Sequence, residues 1–176
     1  MKAPPLFKLN HPAFNIAARG VGVLTGIPSN LPCPFKVGDT LVFHSPWMAR
    51  KASIHCIEHA LIKNTEEEYA LVLSSISAEH LPIGTEVHDH KTLVANREVN
   101  APIVWTGDLE DDCSSTWAEM VLRAEEMSLG YWWWAVSDNR LALAEVASSK
   151  WETQPCVSGE NARRQAERCA RSYLTI

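Results

Sequence analysis

The stretch Tyr131-Trp132-Trp133-Trp134-Ala135-Val136, followed by Ser137-Asp138-Asn139-Arg140 and the apolar run Leu141 to Val146, decides how this chain is read. Two apolar runs on either side of a polar turn predict a β-hairpin. Side chains of a strand alternate between faces, so Trp132, Trp134 and Val136 share one face and Tyr131, Trp133 and Ala135 the other. Both faces are apolar and both ask for cover. A helix can cover one. The other needs a further part of the chain or a partner, which makes Tyr131 and Trp133 candidate interaction residues, with Arg123 and Arg140 as the cations of the same unit.

The covering helix is readable downstream. Ser158 is placed to cap it, and Ala162, Ala166, Cys169, Ala170, Tyr173 and Leu174 recur at helical spacing, while Arg163, Arg164, Glu167, Arg168 and Arg171 take other positions. A stripe of such small residues needs bulky neighbours opposite, and the tryptophans supply that volume. Thr116 to Met127 has two readings. Thr116 and Glu119 suit a capping box with Gly130 ending a helix, yet Met120, Leu122 and Ala124 alternate with Glu119, Val121, Arg123 and Glu125 as in a strand. A third strand would give the helix a proper sheet, so the strand is the expectation.

Trp132 through Asn139, Ala144-Glu145, Ser148 and Trp151, then Ser158 with Ala162 and Ala166, resemble the hairpin-plus-helix unit of YegP-like domains. The resemblance covers about the last 45 residues. Arg140 stands where that pattern has a turn glycine, and Thr153 to Val157 form an insertion before the helix. The resemblance implies a small α+β fold and no particular chemistry. In topology the unit also resembles the plant ethylene-response-factor and integrase arm-binding domains, which lay a sheet in the DNA major groove. Those sheets are basic, whereas this one would present Glu119, Glu125 and Glu145 beside only Arg123 and Arg140, which disfavours nucleic acid as the partner.

The amino-terminal half reads as β-rich. Lys36 to Phe43, Ala52 to Ile62, Glu68 to Ile76 and Thr85 to Val94 are strand-like runs, separated by turn signals at Pro46, Asn64 and Pro82-Ile83-Gly84. Short strands at this spacing predict a small barrel or folded sheet. All seven histidines fall in the first 90 residues. His55-Cys56-Ile57-Glu58-His59 matches H-x-x-E-H, in which two histidines one helical turn apart hold Zn²⁺ and the glutamate is the general base. That mechanism requires a helix, and the flanking residues favour a strand, on which Glu58 points away from His55 and His59. His88-Asp89-His90 offers a second metal pair, because alternate residues of a strand face one way. Each group also reads as ordinary surface or hydrogen-bonded imidazole. Zinc is thus the alternative cofactor, with none as the first expectation.

Composition sets the frame. The chain has 176 residues, 46% of them apolar, enough for a packed core. Residues 1–100 carry nine Lys/Arg against nine Asp/Glu, and residues 101–176 carry seven against twelve, so the excess acid is carboxy-terminal. The five scattered cysteines contain no C-x-x-C pair, the usage of a reduced, cytoplasmic protein. No leader or membrane span is legible. The expected organisation is an α+β chain: a β-rich part over residues 1–98, a connecting segment over 99–115 holding Pro102 and the acidic cluster Asp108 to Asp112, and a sheet-plus-helix unit over 116–176. No catalytic constellation stands out. The expected function is therefore a non-enzymatic binding or regulatory protein, of the kind found among accessory proteins of bacteria and their mobile elements, with a protein partner or self-association through the aromatic hairpin. A metal-dependent hydrolase and a nucleic-acid binder are the alternatives.

Overall fold

The computed structural model describes residues 4–61, 66–152 and 156–175. Met1 to Ala3, the expected strand end at Ile62, the turn signal at Asn64 and Thr153 to Pro155 of the expected insertion lie outside them. The chain divides between Leu93 and Val94 into two compact units.

The first unit is a curled antiparallel sheet of seven strands. These are β1 (Phe7–Lys8), β2 (Phe14–Ile16), β3 (Gly20–Pro28), β4 (Thr40–His44), β5 (Ala49–Ala60), β6 (Glu68–Ser74) and β7 (Glu86–Asp89), in the order β1-β7-β4-β5-β6-β3-β2. Register aligns the core across it. Val21 lies opposite Leu73, Val23 opposite Leu71, Leu41 opposite Ala52, and Phe43 opposite Val87. Together with Leu9, Phe35, Ile54 and Leu81 these side chains form one buried cluster. The alternate positions Val42, Val72 and His88 are also fully buried, so the sheet is covered on both faces along its centre.

β3 is absent from the sequence reading because its glycines look like breaks. The structure gives two of them a positive role. A Cβ on Gly22 would sit 2.5 Å from the Phe14 ring, and one on Gly20, at φ +123°, would strike the Leu73 carbonyl oxygen at 2.2 Å. Glycine lets β2 and β6 close on β3 from either side. A second difference lies at Thr85 to Val94, where the expected strand stops at Asp89 and helix α1 (His90–Val94) begins. The Asp89 carboxylate accepts hydrogen bonds from the Thr92 amide at 2.8 Å and the Thr92 hydroxyl at 2.7 Å, an N-cap that turns the chain out of the sheet.

The second unit is a five-stranded antiparallel sheet with a helix on one face. Its strands are β8 (Thr106–Gly107), β9 (Asp112–Trp117), β10 (Met120–Ser128), β11 (Tyr131–Asp138) and β12 (Ala144–Ser148), running in the order β12-β11-β10-β9-β8, and α2 (Gly159–Leu174) follows. The expected α+β fold is thus present, with a β-rich first part and a helix-covered sheet in the second, though that sheet has five strands where two or three were expected. Thr116 to Met127 is β10 together with the end of β9. The two strands join through Ala118 and Glu119, both at positive φ, a turn for which neither residue is a usual signal. β12 starts at Ala144 and not at Leu141. Asp138 caps a 3₁₀ turn over Asn139–Leu141, Ala142 and Leu143 take positive φ, and Leu141 is thereby buried rather than paired.

The aromatic strand divides by face as its alternation predicts. Trp132, Trp134 and Val136 are buried with Trp117, Met120, Leu122 and Ala124. The α2 stripe of Ala162, Ala166, Ala170, Tyr173 and Leu174 is buried on the helix that packs against β10, β11 and β12. Ser158 accepts the Asn161 amide at 3.2 Å as the N-cap. The fit at the helix start is tight, since a Cβ on Gly159 would lie 2.7 Å from the Trp132 ring.

Candidate functional sites

The tip of the β10–β11 hairpin is the most exposed apolar region of the second unit. Leu129 is 100% exposed, Met127 60% and Tyr131 50%. Behind this tip lies a cleft of about 250 Å³ lined by Met127, Tyr131, Trp132, Trp133, Ser149, Lys150 and Glu152. Trp133 is half-buried and faces away from α2 by the alternation of the strand. The apolar surface is bordered by charge of both signs: Lys150 donates to Glu145 at 3.1 Å, and the Glu126 carboxylate accepts the Gly130 amide at 2.8 Å, bracing the turn.

The two arginines singled out in the sequence are engaged within the unit. Arg123 lies 4.0 Å from Asp112 and 3.9 Å from Glu125. The Arg140 side chain donates to Glu119 at 2.6 Å and to the Ala95 carbonyl at 2.8 Å, and this guanidinium holds the Glu119 carboxyl below the usual carboxylate range. The face bearing Trp133 therefore pairs its arginine with carboxylates, a poor surface for phosphates.

A buried polar centre that sequence reading missed lies on the helix-covered side. Arg97 Nη2 donates to both Asp138 oxygens at 2.8 Å, and its Nη1 donates to the Ala118 carbonyl at 3.0 Å. Asp138 also accepts the Arg140 amide at 2.9 Å and the Tyr173 hydroxyl at 3.2 Å. Both charged side chains are wholly buried. Burial, reinforced by the Asp138 carboxylate, pushes the Tyr173 phenol well above its usual range. Arg97 falls at the end of the part read as β-rich, residues 1–98, where a lone arginine carries no signal. Its role is to close the unit: it ties the chain before β8 to the β9–β10 turn and the end of β11.

The histidines separate in the first unit. His55 and His59 stand exposed on β5, where the helical geometry of H-x-x-E-H is not built. Glu58 is ion-paired to Arg19, and His59 contacts Glu67 at 3.3 Å and the Tyr69 ring edge at a centroid distance of 5.4 Å. The Ser29 hydroxyl first, and His59 second, hold Glu67 below the usual carboxylate range. A glutamate locked to an arginine is a poor general base. His88 and His90 are both buried, yet the helix starting at His90 removes the shared strand face that their spacing implied. His88 instead has two other neighbours. His44 of β4 lies opposite Glu86 of β7, and Glu86 and His88 are two residues apart on the same strand, so the three side chains converge.

A further cleft of about 320 Å³ in the first unit is lined by Leu6, Ile27, Phe35 and Leu41 with Asp39 and Asp89. Both aspartates are committed to local turns: Asp39 accepts the Lys36 amide and Asp89 caps α1. No protein-family model, no curated protein and no solved structure matches this chain. Among the described residues no helix is long and apolar enough to cross a membrane.

Proposed function

We propose that the protein is a binding protein whose second unit docks on a protein partner through the tip of the β10–β11 hairpin. The observation that carries this is the run of exposed apolar side chains, Met127, Leu129 and Tyr131, beside the cleft walled by Trp133. Apolar groups in water at a hairpin tip gain from being covered, and aromatic side chains with few rotamers make strong contact sites. Charged residues of both signs at the rim suit a protein surface better than a polyanion.

A photo-crosslinking amino acid at position 129 tests the reading in the full chain. The expected result is a discrete protein adduct, either with a second copy of the chain or with another protein. Tyr131→Ala and Trp133→Ala should weaken it by about 2 kcal/mol or more, as interface hot spots do. Equal crosslinking yields from the parent chain and both variants would remove the hairpin from consideration.

A further inference from the structure

The histidine and glutamate side chains between β4 and β7 carry an inference independent of the hairpin. We propose that His44, Glu86 and His88 form a binding site for a divalent transition-metal ion of the zinc class.

Strand register builds the site. His44 and Glu86 are directly opposed, and His88 follows Glu86 by two residues, so all three project from one face of adjacent strands. His44 Nδ1 lies 3.5 Å from Glu86 Oε2, His88 Nε2 lies 3.7 Å from the same oxygen, and the three potential ligand atoms are all within 4.8 Å of one another. These separations exceed those of an imidazole–carboxylate hydrogen bond, which closes to about 2.7–2.9 Å. They approach the spacing of zinc ligands instead: bonds of about 2.0–2.1 Å in a tetrahedron place neighbouring ligand atoms about 3.4 Å apart. Small side-chain adjustments would bring all three atoms to bonding distance.

The donor set and its surroundings agree with that ion. Two imidazole nitrogens and a carboxylate oxygen suit zinc and its neighbours rather than calcium or magnesium, which prefer oxygen alone. Lys8, opposite Glu86 on β1, holds the other carboxylate oxygen at 3.0 Å, which leaves Oε2 directed at the histidines. His88 is wholly buried, while the side chains of His44 and Glu86 keep 11% and 17% of their exposure. The three candidate ligand atoms are themselves shielded from solvent, so an ion would reach them past the partly exposed edges of His44 and Glu86.

The test uses the full chain stripped with a chelator, then titrated calorimetrically with Zn²⁺ and, separately, with Co²⁺ followed by visible absorption. One saturable equivalent is expected, with cobalt bands of tetrahedral intensity that Zn²⁺ displaces. His44→Ala and Glu86→Gln change partly exposed side chains and should each weaken zinc binding by about 100-fold or more, at or beyond the upper end of what losing an outer-shell partner costs, whereas His55→Ala/His59→Ala should leave it unchanged. Thermal unfolding establishes that each variant is folded. The proposal is overturned if the parent chain shows no saturable binding, if folded His44→Ala binds equally well, or if the His55/His59 variant loses the metal. Should the site variants fail to fold, the cobalt spectrum of the parent chain decides, and octahedral weak bands overturn the proposal.

Discussion

Each unit buries a cluster of ionisable side chains, and the two clusters are built differently. In the second unit Arg97, Asp138 and Tyr173 are closed on one another at 2.8 to 3.2 Å, with a backbone amide and a carbonyl completing the shell. In the first, His44, Glu86 and His88 gather at the more open spacing of 3.5 and 3.7 Å, their converging atoms buried although the His44 and Glu86 side chains are partly exposed. A closed cluster offsets the desolvation of its charges with its own hydrogen bonds and has no room for anything else. An open one of metal-ligating atoms has the spacing for an ion. Burial of ionisable groups alone therefore does not tell the two clusters apart; the distances between their polar atoms do.

The largest effect expected is from breaking the closed cluster. Arg97→Met should cost about 3–5 kcal/mol in denaturant unfolding, because Asp138 is left charged, buried and without its counter-ion. The double variant Arg97→Met/Asp138→Asn should recover part of that loss. A cost below about 1 kcal/mol for the single change would show that water reaches Asp138, and the contrast between the clusters would fail. Next in size is the response of the open cluster to metal. At a Zn²⁺ concentration 100 times its dissociation constant the parent chain should gain about 2.7 kcal/mol, read as a rise in unfolding temperature, and Glu86→Gln should gain little. Equal shifts in both would place the ion elsewhere.

A smaller effect belongs to Tyr173. Its phenol is raised in the folded state by burial and then by Asp138, so the unfolded chain loses its proton first as pH rises. Stability is full below the unfolded tyrosine pKa of about 10 and falls as pH climbs above it. Tyr173→Phe should cost about 1 kcal/mol at neutral pH and flatten that alkaline decline, measured by urea unfolding at a series of pH values. An unchanged alkaline limb would assign the decline to other groups. The smallest effect is at the surface. Arg140 holds the partly exposed Glu119 carboxyl low, so its stabilisation is present above pH about 4.3 and is lost on acidification. Solvent screening limits Glu119→Gln to about 0.5 kcal/mol near neutrality, and a loss several times greater would mean that the β9–β10 turn depends on this pair.

What the sequence by itself determined was local in origin. Alternation placed Trp132, Trp134 and Val136 on the buried face, Ser158 announced the start of α2, and the small-residue stripe predicted a bulky sheet opposite, because strand and helix periods are written in neighbouring residues. β3 was hidden by glycines whose purpose is contact with Phe14 and Leu73, and the β9–β10 turn by Ala118 and Glu119, which carry no turn signature. The candidate sites were less legible still. His88 was visible as a candidate metal ligand, yet its spacing suggested His90 as its fellow, which the Asp89 cap carries into a helix. Its neighbours His44 and Glu86 lie across a strand pair, and Arg97 meets Asp138 from 41 positions away. Register between strands decides which of these atoms meet, and register is set by the packing of the whole sheet rather than by any one segment.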